Sequence, residues 1–425
     1  MIRRLLMLPF LAATLVAAAP GPLDAIARDY VRLSLEAGER EPGYVDAYYG
    51  PPGIAAAAKV KTRSVATLEA DAGRLKARAI AVDAKALAPP ERQRRASLIA
   101  HLTAAETRLA MRGGRKFSFD DEAVGLFGVR PVLAPLTSFD PVLAEIERLV
   151  PGDGPLWQRV DAYRERFRIP ADRLDAVMRA SIAECRRRTA AHIPLPGNEK
   201  FTLGLVTGKP WSGYNYYQGN DVSRIEINTD LPVLIDRAVD LGCHEGYPGH
   251  HVMNLLIEEK LAKARGWIEY TVQPLFAPIS LIAEGSANYG IELAFPGNER
   301  ATFEARTLFP LANLDPAEAP RYAALGKALQ RLSGARFTIA RDYLDGRIDR
   351  AAALALTQKY SLLSVARATK SLDFDEVYRS YVINYGLGKD MVQAHVEAAG
   401  ASPKVRWAVF ERILSEPTLP SDLVP

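Results

Sequence analysis

The chain has 425 residues, of which 48% are apolar and 24% are charged, so its composition is that of an ordinary globular protein and not of a disordered or fibrous one. Its formal net charge is only +4. Arg3 and Arg4 account for two of these charges and lie in a segment that we expect to be removed. The mature chain then carries +2 (4 − 2), which gives no indication of a nucleic-acid partner.

The N-terminus has the pattern of a secretory signal peptide. Arg3 and Arg4 precede an apolar run over 5–19, and the run ends in three small residues that suit a cleavage site. A membrane anchor or a buried helix is the alternative, but the run is short for a membrane span and Pro9 interrupts it. We therefore predict a signal peptide at 1–19, a periplasmic or secreted protein, and no stable membrane insertion after cleavage.

Helical periodicity dominates the next part of the chain, which we predict to be an N-terminal helical lobe over 20–195. A loop at 41–53 follows the first helix, and Pro89 and Pro90 separate the second from the third. The apolar periodicity predicts helices at 23–37, 64–87, 90–112, 141–149, 155–166 and 171–191.

The pattern then changes to strands. Alternating apolar and polar residues predict strands at 200–207 and 223–228, which would form a small antiparallel sheet. The loop between them is rich in aromatic residues, including Trp211 and Tyr214. This loop is either a hairpin tip packed by its own rings, or an edge strand beside a cleft that can pair with an extended peptide.

Helices return after the strands. Thr229 and Asp230 followed by Pro232 are typical of a helix start, and this helix would run toward His244. Further helices are predicted at 281–293, 299–308, 318–332, 335–344, 350–360, 373–384, 389–399 and 403–416. The sequence thus predicts a mainly α, two-lobed fold whose second lobe spans 196–425, with the small sheet edging a cleft.

The most informative stretch reads C-H-E-G-Y-P-G-H-H and contains three of the six histidines, His244, His250 and His251. Further along the chain, Glu284 opens the run E-G-S-A-N-Y. Two neutral imidazoles and a distant carboxylate can hold a zinc ion with one position open for water. Glu245, beside the first histidine, is placed to take a proton from that water. The alternative is a turn that carries surface histidines.

The spacing departs from the usual H-E-x-x-H motif, whose histidines lie four residues apart on one helix face. Here Pro248 occupies the fifth position and cannot bind a metal. On an unbroken helix His251 would lie about 10 Å along the axis from His244, too far to share one ion. Pro248 and Gly249 predict a break or bulge that brings a later histidine back, and the pattern leaves open whether His250 or His251 is the one.

The two cysteines, Cys185 and Cys243, are too few to form a disulfide framework. Cys243 directly precedes His244, and adjacent helical residues point about 100° apart, which argues against a thiolate ligand there. We interpret Cys243 as a small buried residue. Whether it pairs with Cys185 is left open.

These motifs resemble the signature of a family of bacterial secreted proteins with H-E-x-x-P-G-H-H and E-G-x-A-x-Y motifs, a family that is itself similar to gluzincin zinc metallopeptidases. The segment from Tyr214 to Asn228 and the run Asn384-Tyr385-Gly386 resemble that family more loosely. The family usually has Trp where this chain has Ser286 and an acidic residue where it has Ile291. The resemblance implies a largely helical fold, one Zn²⁺ per chain and hydrolysis of amide bonds.

Carried over by position, the resemblance implies His244 and His250 as metal ligands, with His251 as the alternate for the second. Glu284 would be the third ligand, and Glu245 would activate the water.

We add two further roles from the residues. Asn288, one turn after Glu284, is a candidate partner for a ligand. Tyr385 is a candidate donor to the oxyanion, with an ordinary core tyrosine as the alternative.

The sequence therefore predicts an exported zinc metallopeptidase acting on a peptide or small amide substrate. One alternative is a catalytically inactive binding module of the same fold. The other is a metal-dependent hydrolase of esters or non-peptide amides. The sequence indicates no oligomeric state.

Overall fold

The computed structural model describes residues 21–423, so the predicted signal peptide at 1–19 lies outside the described residues. Helices dominate this part of the chain, and the strands are few and short. The predicted class, mainly α with a small sheet beside a cleft, is confirmed. The α-helices are α1 (Asp24–Arg40), α2 (Pro52–Val60), α3 (Val65–Ala81), α4 (Pro89–Arg112), α5 (Phe119–Phe127), α6 (Asp140–Leu149), α7 (Leu156–Glu165), α8 (Leu174–Ala190), α9 (Asp236–Leu241), α10 (His250–Ile257), α11 (Pro278–Ala294), α12 (Glu299–Phe303), α13 (Phe309–Leu311), α14 (Ala319–Gln330), α15 (Ser333–Leu344), α16 (Arg350–Ser361), α17 (Val365–Tyr378), α18 (Ile383–Ala398) and α19 (Pro403–Ser415).

Two small sheets accompany the helices. Their strands are β1 (Val45–Tyr48), β2 (Lys200–Val206), β3 (Gly213–Tyr217), β4 (Val222–Asn228) and β5 (Val272–Pro274). In the three-stranded sheet, β4 lies in the centre, antiparallel to β3 and parallel to β2. The aromatic loop predicted between two strands therefore contains an edge strand, β3. The two predicted strands themselves pair in parallel, because β3 follows β2 along the chain and takes the antiparallel place beside β4.

The helix predicted to begin at Thr229 begins later, at Asp236. The two proposed capping residues have other partners. The Thr229 backbone N–H and hydroxyl both donate to the Val206 carbonyl at the end of β2, and the Asp230 carboxylate accepts from the Gly208 N–H. Both residues therefore close the turn after the sheet. Because their side chains are already hydrogen-bonded there, they are not available to cap a helix.

The two predicted lobes are joined by shared core and by polar contacts. One buried apolar cluster runs from Leu23 to Leu423, and β1 pairs with β5 across the predicted division at 195/196. Arg94 of α4 is buried and forms an ion pair with Glu269, 2.6 Å between Nε and Oε1. Separating the two lobes would leave both charges of this buried pair without their partner, which is costly. The contact therefore ties the two predicted lobes together. The boundary itself stays a prediction.

A disulfide joins Cys185 of α8 to Cys243, the residue before His244. The interpretation of Cys243 as merely a small buried residue is therefore wrong in part, because the residue is buried but covalently bonded. The sequence could not decide this pairing, since it depends on how α8 packs against the segment after α9. The bond anchors the histidine-bearing segment to a long helix.

We expect the double variant Cys185→Ser/Cys243→Ser to unfold with a free energy lower by about 4 kcal/mol, because the bond closes a long loop in the unfolded chain. The two cysteines are separated by 58 residues in sequence. Urea unfolding of the variant and of oxidised wild type measures the difference, and wild type with a reductant is the control. Equal stability of all three samples would contradict this expectation.

Within residues 21–423, none of the helices combines the length and apolar character needed to cross a membrane.

Candidate metal centre and cavity

His244 and Glu245 lie on a single π-helical turn, Gly242–Gly246, that continues α9. A cis peptide joins Tyr247 to Pro248, and α10 begins at His250. The break predicted at Pro248 is therefore present. The break brings the second histidine back beside the first, and the ring centroids of His244 and His250 are 4.6 Å apart.

Gly249 allows this reversal sterically. A Cβ atom placed on Gly249 would lie 1.9 Å from the carbonyl oxygen of His244. That contact is with backbone, which cannot move aside as a flexible side chain can. Only glycine fits the close approach between the π-helical turn and the start of α10.

The third component, Glu284, comes from α11. Its Oε2 atom lies 3.1 Å from Nε2 of His244 and 3.8 Å from Nε2 of His250. Its other oxygen, Oε1, accepts a hydrogen bond of 2.6 Å from the hydroxyl of Tyr381. The structure therefore brings together the two histidines and the distant glutamate that the sequence singled out.

Asn288 determines which nitrogen of His244 carries the proton. Its amide nitrogen donates to the backbone carbonyl of Tyr385 at 3.0 Å, so its Oδ1 faces His244 and accepts from Nδ1 at 3.1 Å. In a neutral imidazole the other nitrogen, Nε2, then presents a lone pair. This lone pair points toward a carboxylate oxygen of Glu284, which also has only lone pairs to offer.

These two acceptors must share a cation, either a proton on Nε2 of His244 or a metal ion. Glu284 Oε2 is buried and has no hydrogen-bond partner. Burial by itself lowers the pKa of His244, but Glu284 and the charge of Glu245 outweigh it and raise the pKa to about 9. Burial lowers the pKa of His250 to about 4, so this ring is neutral and offers a lone pair. The His2Glu set fits a divalent metal ion with affinity for nitrogen and oxygen ligands.

Glu245 lies beside this cluster and is 4% exposed. Three potential ligand atoms, one each from His244, Glu245 and His250, lie within 4.8 Å of one another. Glu245 is therefore close enough to be a ligand or to act on a molecule bound at the cluster. Burial raises the pKa of its carboxyl to about 7, which is the range in which a carboxylate accepts and returns protons near neutral pH.

His251 lies elsewhere, in a separate buried network. Its Nδ1 is 2.8 Å from the Ser223 hydroxyl and its Nε2 is 3.0 Å from Glu199 Oε2. Burial raises the pKa of Glu199, but the hydrogen bonds from His251, Tyr247 and Arg186 outweigh it and lower the pKa to about 2. Both nitrogens of His251 have partners on the sheet side of α10, and neither faces the cluster.

The cluster opens into a cavity of about 830 Å³, a volume that includes solvent at its mouth. Gly213, Tyr214 and Asn215 line it from the edge strand β3, in agreement with the edge-strand alternative for the aromatic loop. Tyr385 also lines the cavity, and its ring stacks on His244 with 6.3 Å between centroids.

The cavity residues that sequence reasoning missed include Asp46, Asn215 and Tyr381. Asp46 lies on β1, in a segment predicted as loop, and no local pattern points to it. Asn215 was hidden among the aromatic residues of β3. Tyr381 had a weak signal, because it precedes Tyr385 by one helical turn in a tyrosine-rich segment.

Gly285, next to the proposed ligand Glu284, fits α11 closely against α18. A Cβ atom at Gly285 would lie 2.3 Å from the backbone carbonyl carbon of Gly388. We expect Gly285→Ala to destabilise the protein by about 2 kcal/mol or more, because overpacking between two backbones forces the helices apart. Thermal unfolding, combined with metal content, measures both effects.

Gly326→Ala is the matched control for Gly285→Ala. Gly326 lies inside α14, and a Cβ atom there would have no neighbour within 4 Å. Alanine should stabilise that helix by about 0.5–1 kcal/mol. If Gly285→Ala behaved like this control, close packing of α11 on α18 would not be what positions Glu284.

No known family model matches the chain, and no curated protein matches it. Among solved structures, it is similar to a protein from Colwellia psychrerythraea that is described as a lipoprotein, with 14% identity and a TM-score of 0.49. The match covers 81% of this chain and 65% of that one, so the chain spans less than two thirds of that protein. A second similar structure is the M32 carboxypeptidase from Deinococcus radiodurans R1, with 15% identity, a TM-score of 0.35 and coverage of 92% and 88%. Likeness at this level carries no argument about function, which has to come from the site.

Proposed function

We propose that this protein is an exported zinc metallopeptidase that hydrolyses amide bonds of peptides. The observation that supports the proposal most directly is the buried Oε2 atom of Glu284, which lacks a hydrogen-bond partner and faces the Nε2 atoms of two histidines. A cation is the group that such a set of acceptors accommodates. The cavity beside it is bordered by the edge strand β3.

His244, His250 and Glu284 would hold the metal ion. Three protein ligands are typical of catalytic sites, and this ligand set suits zinc. When bound, the ion supplies Lewis acidity toward the scissile carbonyl and makes water a better nucleophile at neutral pH. Tyr381 and Asn288 would orient two of the ligands, since their hydrogen bonds hold Glu284 and His244 in place.

Glu245 would be the general base. Its raised pKa lets the carboxylate take a proton from the attacking water and then return it to the leaving amine. The backbone carbonyl of Glu245 accepts a hydrogen bond of 2.6 Å from Asn215. This bond ties the base to β3, the strand that borders the cavity.

Tyr385 would donate a hydrogen bond to the oxyanion that forms during attack. The hydroxyl of Tyr381 is engaged with Glu284, whereas Tyr385 lines the cavity next to His244. Burial, with the charge of Glu284, raises the pKa of Tyr385 well above its usual value. The hydroxyl thus stays protonated and remains a donor at neutral pH.

A binding module without activity would have no need of Glu245, a buried carboxylate that forms no ion pair with any residue in the described part of the chain. The arrangement also suits hydrolysis of esters or other amides, so the substrate class has to be measured. The test is metal analysis of the purified protein, followed by assays on matched peptide, ester and non-peptide amide substrates with and without chelator. We expect about one zinc per chain and chelator-sensitive cleavage of peptides.

Absence of stoichiometric metal after zinc reconstitution would overturn the proposal. Bound metal with ester cleavage alone would assign the protein to the ester hydrolases.

A further inference from the structure

We infer that the cavity recognises a substrate ammonium group, in the first place the free N-terminus of a peptide, through Asp46 and Asn215. This inference rests on the proposed function and adds a substrate class to it. It assigns a role to two acceptors that the mechanism above does not use.

Asp46 contributes a carboxylate to the cavity wall from β1. One oxygen, Oδ1, accepts a hydrogen bond from the hydroxyl of Tyr214. Asp46 forms no ion pair with any residue in the described part of the chain. Burial raises its pKa to about 6, so the carboxylate is still mainly charged at neutral pH. A charge at a cavity wall without a protein counterion favours a cationic ligand.

Asn215 contributes a second acceptor. Its amide nitrogen donates to the backbone carbonyl of Glu245, which leaves Oδ1 as the free end of the side chain. This Oδ1 atom is buried without a hydrogen-bond partner, and the residue is 6% exposed. A buried acceptor with no donor is costly, unless a ligand brings the donor. An ammonium group has three N–H donors and no acceptor, so its chemistry suits a cavity that both residues line.

The charges around the cavity point the same way. Among residues 21–423, its lining includes three carboxylates, Asp46, Glu245 and Glu284, but neither lysine nor arginine. Recognition of a substrate carboxylate normally uses arginine or lysine. The lining therefore favours the amino end of a peptide over its carboxyl end.

Aromatic rings complete this side of the cavity. Trp211 packs against Tyr214 with 5.2 Å between ring centroids, and Phe374 packs against Tyr378 at 4.3 Å. All four residues line the cavity. Aromatic faces attract ammonium groups and also accommodate an apolar first side chain.

Four matched peptides test the inference on the zinc-loaded protein. The first has a free N-terminus and an amidated C-terminus, and the second is its N-acetylated form. The third is N-acetylated with a free C-terminus, and the fourth is N-acetylated with a lysine beside the scissile bond. We expect acetylation to lower kcat/KM by about 30-fold or more, because the charged hydrogen bonds to Asp46 are lost. A free C-terminus should not restore the rate.

Asp46→Asn removes the charge but keeps the shape. We expect it to lower kcat/KM for the free-amine peptide by a similar factor and to leave the acetylated peptides within about twofold of wild type. Glu226→Gln is the control, because Glu226 lies on β4 beside Arg224, 3.3 Å between the charged atoms, and does not line the cavity. Cleavage of the lysine peptide that depends on Asp46 would assign the ammonium group to a side chain.

Binding of the same peptides to the zinc-loaded Glu245→Gln variant, measured by calorimetry, separates this inference from the proposed function. One outcome is that wild type cleaves no peptide, while the free-amine peptide binds at least about tenfold more tightly than its acetylated form and loses this advantage in Asp46→Asn. The ammonium recognition then holds and the peptidase proposal fails. If acetylated and free peptides are bound and cleaved alike by wild type, the inference is overturned. The comparison of acetylated and free peptides on wild type tests the inference even if Asp46→Asn does not fold.

Discussion

Glu245→Gln is expected to lower the rate of peptide hydrolysis by about 10³-fold or more while the protein keeps its metal. Glutamine has nearly the same shape as glutamate but cannot accept a proton from water, and positioned general bases contribute about 10²–10⁴-fold. The residue is buried next to both proposed histidine ligands, so its loss should affect the proton transfer directly. Steady-state kinetics, together with metal analysis of the same preparation, give the two readouts.

Two comparisons make the Glu245→Gln result specific. Glu226→Gln removes a carboxylate outside the cavity and should keep wild-type activity. Unfolding curves of both variants should match wild type within about 1 kcal/mol, because replacing a carboxyl by an amide of the same shape removes no packing, and the pair of Glu226 with half-exposed Arg224 contributes little. Retained hydrolysis in Glu245→Gln would exclude the residue as the base.

Glu284→Ala is expected to lose the metal. The variant removes one of three proposed ligands, and even residues that only orient a ligand are worth about 10–100-fold in metal affinity. We expect a loss above about 100-fold for Glu284→Ala and a loss within about 10–100-fold for Tyr381→Phe, which deletes the hydroxyl that donates to Glu284 Oε1. Competition with a chelator of known affinity measures both.

Glu284→Ala and Glu245→Gln together decide which of the two glutamates binds the metal with His244 and His250. The ligand atoms of His244, Glu245 and His250 are mutually close, while Glu284 has the shortest contact to His244 and the oxygen without a partner. If Glu284 is the ligand, Glu284→Ala loses zinc and Glu245→Gln keeps it. The opposite result would exchange the roles of the two glutamates.

The local sequence predicted the histidine segment of the candidate site because its residues are close together in the chain. His244 and Glu245 are adjacent, and the break at Pro248 follows from the missing N–H and the steric demands of proline. The choice between His250 and His251 could not be made in the same way. It depends on Ser223 and Glu199, which occupy both nitrogens of His251 from the sheet side.

Most helical segments were predicted well because each repeats its apolar pattern over several turns. The helix predicted at 373–384 is wrong, because the chain turns between the end of α17 at Tyr378 and the start of α18 at Ile383. The short strands were predicted less well. β1 and β5 are held mainly by each other and by core packing, and they are too short for an alternating pattern to be visible. The late start of α9 has the same origin, since tertiary partners of Thr229 and Asp230 override a good local capping signal.

The sequence by itself determined the helical class, the histidine and glutamate motifs and the need for a break between them, because these depend on interactions within a few turns of chain. Only the tertiary structure decided that His250 faces Glu284, that Cys185 bonds Cys243, and that Asp46 and Asn215 line the same cavity. These contacts join segments far apart in sequence. Their formation depends on how helices and strands pack around a common core, which no local pattern encodes.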